Sequence, residues 1–163
     1  MILGLSDSTF TTIHVVLSLI GIASGILVLL GWLGAKRSEG LTALFLATTL
    51  LTSVTALMFP GSIDPGKVIA ILSLAVLALA LVALYVNHLA GAWRWIYLVA
   101  ALLALYFNVF VAVVQSFQKI APLAVLAPTQ SEPPFVVAQV AVMAIFIALG
   151  VLAVRRFHPA PIT

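Results

Sequence analysis

Five separate stretches of this chain are each long and apolar enough to cross a lipid bilayer, and no other property limits its fold so tightly. They cover residues 12–35, 41–59, 67–86, 95–117 and 135–154. A hydrocarbon core about 30 Å thick takes about 20 helical residues to cross. Inside it every backbone N–H and C=O must find a partner within the protein, which only helices and closed barrels provide. The period-two alternation of barrel strands is missing, so the runs are read as helices. Their lack of any polar face argues against buried helices of a large soluble complex.

Composition supports the membrane reading. The 163 residues are 64% hydrophobic and 7% charged, against about 25% charged in soluble domains. The expected fold is all-α: a polytopic transmembrane helix bundle of five transmembrane helices, one membrane domain over residues 1–163. The N-terminus has no basic n-region, and the apolar run behind it is longer than a signal h-region, so the first span is expected to be retained. With no Cys, disulfides, thiolate metal sites, cysteine nucleophiles and cysteine-linked lipids are excluded. No basic stripe with interleaved aromatics appears, so nucleic acid is not an expected partner.

The breaks between spans carry helix punctuation: Gly34 and Gly40 around Lys36, Arg37 and Glu39; Pro60-Gly61 and then Asp64-Pro65-Gly66; Asn87, His88, Gly91 and Arg94; and a proline-rich segment over 118–134. Basic residues in short loops set orientation. Lys36, Arg37, Arg94, Arg155 and Arg156 fall on one side, and Lys67 and Lys119 on the other. That asymmetry predicts N-out/C-in. Trp32, Trp93, Trp95 and Tyr85 then gather at the cytoplasmic interface, where amphipathic rings favour the headgroups.

Every Asp, Glu, Lys and Arg can be placed in a loop or at an interface. Charges at mid-bilayer mark proton relays, ion paths and voltage sensors, so their absence argues against pumps, carboxylate-coupled antiporters and voltage sensors. Polar character enters the membrane in uncharged form. In the fourth span Tyr97, Ala101, Ala104, Asn108, Ala112, Gln115 and Lys119 recur at helical steps as one polar or small stripe. Asn108 lies near mid-membrane and must face protein, as helix-to-helix hydrogen bonding or as the floor of a pocket. In the first span His14, Ser18, Gly21 and Gly25 share a stripe, and Gly21 with Gly25 forms a GxxxG suited to close packing. Thr48, Thr52 and Thr55 line the second span, with hydroxyls able to bond to carbonyls four residues back.

The outer segment between the fourth and fifth spans gathers Lys119, Glu132 and four prolines, Pro122, Pro128, Pro133 and Pro134. It reads as an ordered cap in which Glu132 and Lys119 are placed to pair, and as the surface best suited to dock a partner. His14 and Gln139 fall at similar depth below it. The ligand- or partner-binding candidates are therefore His14, Asn108, Gln115, Lys119, Glu132 and Gln139; the packing candidates are Gly21, Gly25, Thr48 and Thr52. Haem ligation by His14 needs a second His at similar depth, and His88 and His158 fall at the opposite side. Zinc needs more ligands than His14 and Glu132 supply. No nucleophile–base–orienter set is visible beyond the residue types of Ser18, Ser53 and His14. Val16-Leu17-Ser18-Leu19 and Ile71-Leu72-Ser73-Leu74 form a faint repeat.

Across Asn108-Val-Phe-Val, Gln115-Ser-Phe-Gln-Lys119, Ala127-Pro-Thr-Gln-Ser-Glu-Pro-Pro-Phe135 and Gly91-Ala-Trp-Arg-Trp-Ile-Tyr97, the chain resembles small multi-pass bacterial inner-membrane proteins of unassigned function. The resemblance implies a cytoplasmic (inner) membrane and no known activity. The expected role is non-catalytic: an accessory subunit that binds a membrane partner or forms a homo-oligomer. The alternatives are a small-solute channel or carrier, and a module binding a lipid, a quinone or haem. No cofactor or metal is expected.

Overall fold

A computed structural model describes residues 1–159; the last four residues of the expected domain lie outside the described part. The described chain is all-helical apart from an isolated bridge between Ile2 and Leu5. Five helices are long and apolar enough to span a bilayer: α1 (Asp7–Leu33), α2 (Glu39–Met58), α3 (Pro65–Leu81, continued by a π-turn Val82–Val86), α4 (Trp93–Lys119) and α6 (Pro133–Arg156). A sixth, short helix, α5 (Ala121–Leu126), sits inside the proline-rich segment expected to be an ordered cap.

Most helices begin before the apolar run does, because their caps are polar. Ser6 accepts from the Thr9 N–H at 3.2 Å and starts α1 five residues ahead of the apolar run. Asp64 accepts from the Lys67 N–H at 2.9 Å, with Pro65 preset for the first turn of α3. At the far end of α6, Arg94 Nη1 donates to the carbonyls of Val154 (2.9 Å) and Phe157 (2.6 Å). It thus satisfies two orphan acceptors at a helix C-terminus, where a cation is favoured.

Consecutive spans pack side by side, and α4 is the hub, touching each of the other long helices. At one end of the bundle Phe10 and His14 of α1 meet Phe59, which follows α2; α5 and the loop before α6 share that end, here called the rim end. At the other, basic end, Trp32 stacks edge-on against Tyr97 at 5.6 Å and lies 6.1 Å from Phe157. Trp32 is 3% exposed and part of the core, not the interfacial anchor expected of it. Trp95 and Tyr85 are exposed.

Apolar packing is dense over the basic half, where Leu29, Trp32, Phe45, Leu77, Leu98, Ala101 and Leu105 are buried together. Two glycines set the tightest approaches. A Cβ on Gly25 would come within 2.6 Å of Leu105 and 2.9 Å of Phe45; one on Gly150 would come within 2.7 Å of Leu102. Small residues at such crossings let helix backbones approach closely, which drives association where no hydrophobic effect acts between helices.

Candidate functional site

The close contact of α1, α2 and α4 at Gly25 continues through Gly21, where a Cβ would stand 3.1 Å from Thr49, 3.2 Å from Asn108 and 3.4 Å from Thr48, and opens beyond it. From there toward the rim the inward positions are Ser18 on α1, Thr52 and Ser53 on α2, Ser73 on α3 and Asn108 on α4. None is large enough to fill the space that Leu105 and Phe45 fill below. A cavity of about 650 Å3 results, lined by all four helices and running from Asn108 and Ser73 up to Lys67, Lys119 and Asp64. Sites for small molecules span about 300–1,000 Å3. Val15 and Leu19 of α1 line it and are themselves exposed, so the cavity is open rather than enclosed and part of its wall is apolar.

The polar groups fall into three tiers. At 1.5 Å per residue, His14 and Gln115 stand about 10 Å above the level at which Gly21 meets Asn108. Lys119 is one turn higher again. The base holds Asn108; between it and the middle tier lies a hydroxyl pair, Ser53 Oγ to Ser73 Oγ at 3.1 Å, both serines being buried. Asn108 Nδ2 is buried with no hydrogen-bond partner, as is Thr49 Oγ1. A Cβ on Gly21 would stand 3.1 Å from Thr49 Oγ1 and 3.2 Å from Asn108 Nδ2. In the middle tier, His14 Nδ1 lies 2.8 Å from Thr55 Oγ1, and the Phe59 ring packs edge-on against the imidazole at 5.3 Å.

The top tier is cationic. Lys67 is 8% exposed, and its ammonium donates to the carbonyls of Gly61 (2.8 Å) and Ser62 (3.2 Å). Those carbonyls offset the placement of a cation at a helix N-terminus. Lys119 ends α4, where the helix dipole favours it. The ion pairs among the described residues are the N-terminal amine with Asp7 and Arg37 with Glu39, and neither engages Lys119.

Of the residues singled out from sequence, the cavity brings together His14, Asn108, Gln115 and Lys119. It does not include Glu132 or Gln139. Glu132 turns away from Lys119 and closes the loop ahead of α6. Its carboxylate accepts from the Thr129 hydroxyl (2.7 Å), the Thr129 N–H (3.1 Å) and the Ser131 N–H (3.1 Å). The Thr129 hydroxyl first, then these backbone donors, hold its pKa below the ordinary 4.5. Local hydrogen bonds win over the ion pair because an exposed pair gains little. Gln139 donates to the Phe110 carbonyl at 3.3 Å, on a different face of α4 from the cavity wall. Depth was readable from sequence; the face of the bundle was not.

The packing candidates divide as well. Gly25 fixes the helix crossing, while Gly21 clears space beside Asn108. Thr48 and Thr52 direct their hydroxyls to the Leu44 and Thr48 carbonyls of their own helix. Sequence reasoning missed Lys67, Ser73 and the role of Thr55. Lys67 was legible as a cation three residues after the Asp64 cap, and Ser18 and Ser73, paired by the faint repeat, both line the cavity.

The Ser18 hydroxyl bonds to the carbonyl of His14, at 2.8 Å, not to its ring, and Ser53 bonds to the Thr49 carbonyl and Ser73. Neither hydroxyl meets the imidazole as a nucleophile meets its base. His88 belongs to the turn between α3 and α4 and His158 follows α6, both at the basic end. Among the described residues no three His, Asp or Glu side chains converge. The site is equipped with hydrogen-bonding and cationic groups around an open cavity. No protein-family model, no curated protein and no solved structure matches the chain.

Proposed function

We propose that this is a non-catalytic membrane binding module that takes one small amphipathic molecule into the cavity at the rim end. The observation that carries the reading is the cavity itself: about 650 Å3, open rather than enclosed, with apolar Val15 and Leu19 and polar groups at several depths in its wall. Helix packing alone does not call for so many hydrogen-bonding groups around a void; most bond within the protein, but Asn108 Nδ2 does not, and a group left unpaired in hydrocarbon costs several kcal/mol. A molecule with a polar head and an apolar body would satisfy them while its body lies against Val15 and Leu19. The placement of Lys and Arg supports N-out/C-in, which turns the cavity toward the outer leaflet. The resemblance supports a bacterial inner membrane.

The test is native mass spectrometry of the protein released from mild detergent. A retained small molecule, lost in the Ala112→Phe variant that fills the cavity, is the expected result. Identical ligand-free spectra for both proteins, together with unchanged binding of added amphiphiles, would sink the reading.

A second role, as an accessory subunit of a larger assembly, is favoured by α6, of which only Ala153 is buried. The same spectra test it, by a mass exceeding one chain.

A further inference from the structure

The middle tier of the cavity specifies what a bound head group must offer. Thr55 has one hydroxyl proton, and its Oγ1 lies 2.8 Å from the Leu51 carbonyl and 3.0 Å from the Thr52 carbonyl. A helical threonine commits its proton to such a carbonyl. The oxygen therefore meets His14 as an acceptor, and the 2.8 Å contact is a bond donated by Nδ1–H. In a neutral imidazole one nitrogen donates and the other accepts. With Nδ1 protonated, Nε2 keeps a bare lone pair. The Phe59 ring, at 88° to the imidazole, holds its plane. Gln115, level with His14 on α4, also lines the cavity, and the Asn108 amide below has Nδ2 unpartnered.

We infer that the cavity selects an uncharged amphiphile whose head bears a hydroxyl, with the hydroxyl donating to His14 Nε2. This rests on the binding reading above and narrows it. A head with only acceptors, such as an ester or ether, leaves Nε2 unpaired. A carboxylate or phosphate head offers Nε2 no proton, and ions are costly below the interface, so the cationic tier a turn above does not make an anion the better fit at the His14 depth. Gln115, level with His14, is placed to meet a second polar group of the head.

The experiment uses the full chain in nanodiscs at pH 8, above the ordinary range of His titration, and two probes of nearly equal shape, 4-octylphenol and its methyl ether. The phenol is expected to bind about tenfold more tightly, the range of one buried hydrogen bond. His14→Phe brings the phenol down to the affinity of the ether and leaves the ether unchanged. In protein carrying 15N-labelled histidine, His14 shows a protonated Nδ1, and its Nε2 resonance moves when the phenol is added but not the ether. Equal affinity of the two probes, or a protonated Nε2 in the ligand-free protein, overturns the inference, and neither touches the cavity reading. Failure of both probes to bind, or binding that Ala112→Phe leaves unaltered, overturns the cavity reading as well. The spectrum requires no variant, so a misfolded His14→Phe does not block the test.

Discussion

At Gly25 a single added methyl group has nowhere to go. Its Cβ would lie 2.6 Å from Leu105 and 2.9 Å from the Phe45 ring. Overpacking costs about 1–3 kcal/mol, and the better helix propensity of Ala returns about 0.5–1 kcal/mol. Gly25→Ala is expected to lose about 1 kcal/mol in reversible unfolding from detergent micelles. Gly40→Ala, in the first turn of α2 with nothing within 4 Å, is expected to lose nothing and serves as the control. Glu132 gives a pH-dependent counterpart outside the membrane. Its pKa is lowered in the folded loop, so its contribution is fully present above the ordinary 4.5 and is lost as pH falls through the folded value. Amide exchange at Thr129 and Ser131 should therefore quicken as pH is lowered below 4.5, after correction for the intrinsic pH dependence of exchange. Glu132→Gln should show raised exchange already at neutral pH and no such step.

The helices owe their boundaries to polar residues and their mutual placement to small ones. Apolar runs show that a span exists but hide where it starts, because the cap belongs to the loop composition. This is why α1 begins at Asp7 and α4 extends to Lys119 beyond the apolar run. The short α5 was invisible for a related reason: Pro122 reads as a breaker, yet it is preset for a first helical turn. Arg94 illustrates how an element is held from outside. Its guanidinium bonds to the Val154 and Phe157 carbonyls, more than one span away in the chain. Arg94→Ala leaves those acceptors to water and frees the last turn of α6. Hydrogen exchange over residues 150–157 should rise about tenfold or more, corresponding to the loss of about 1.5–3 kcal/mol from a charge-assisted bond, with exchange in α2 unchanged.

For the whole molecule, orientation is the property with the most direct test. The chain has no Cys, so single cysteines report topology cleanly. In intact cells an impermeant maleimide is expected to label Gln118→Cys and to spare Arg37→Cys until the membrane is opened; the reverse pattern would overturn N-out/C-in. Hydropathy by itself determined that five helices are long and apolar enough to span and that the fold is all-helical, because a bilayer admits few alternatives for satisfying the backbone. Residue spacing along one helix also placed His14, Asn108, Gln115 and Lys119 at graded depths, since rise per residue is fixed. Only the tertiary structure decided which of them share a space. Rotation about a helix axis depends on packing at Gly25 and Gly150, not on depth, and that rotation puts Gln139 against Phe110 while His14 faces the cavity. The same packing leaves the rim half of the bundle unfilled, because closeness at one crossing lets small polar residues a few turns away stand apart.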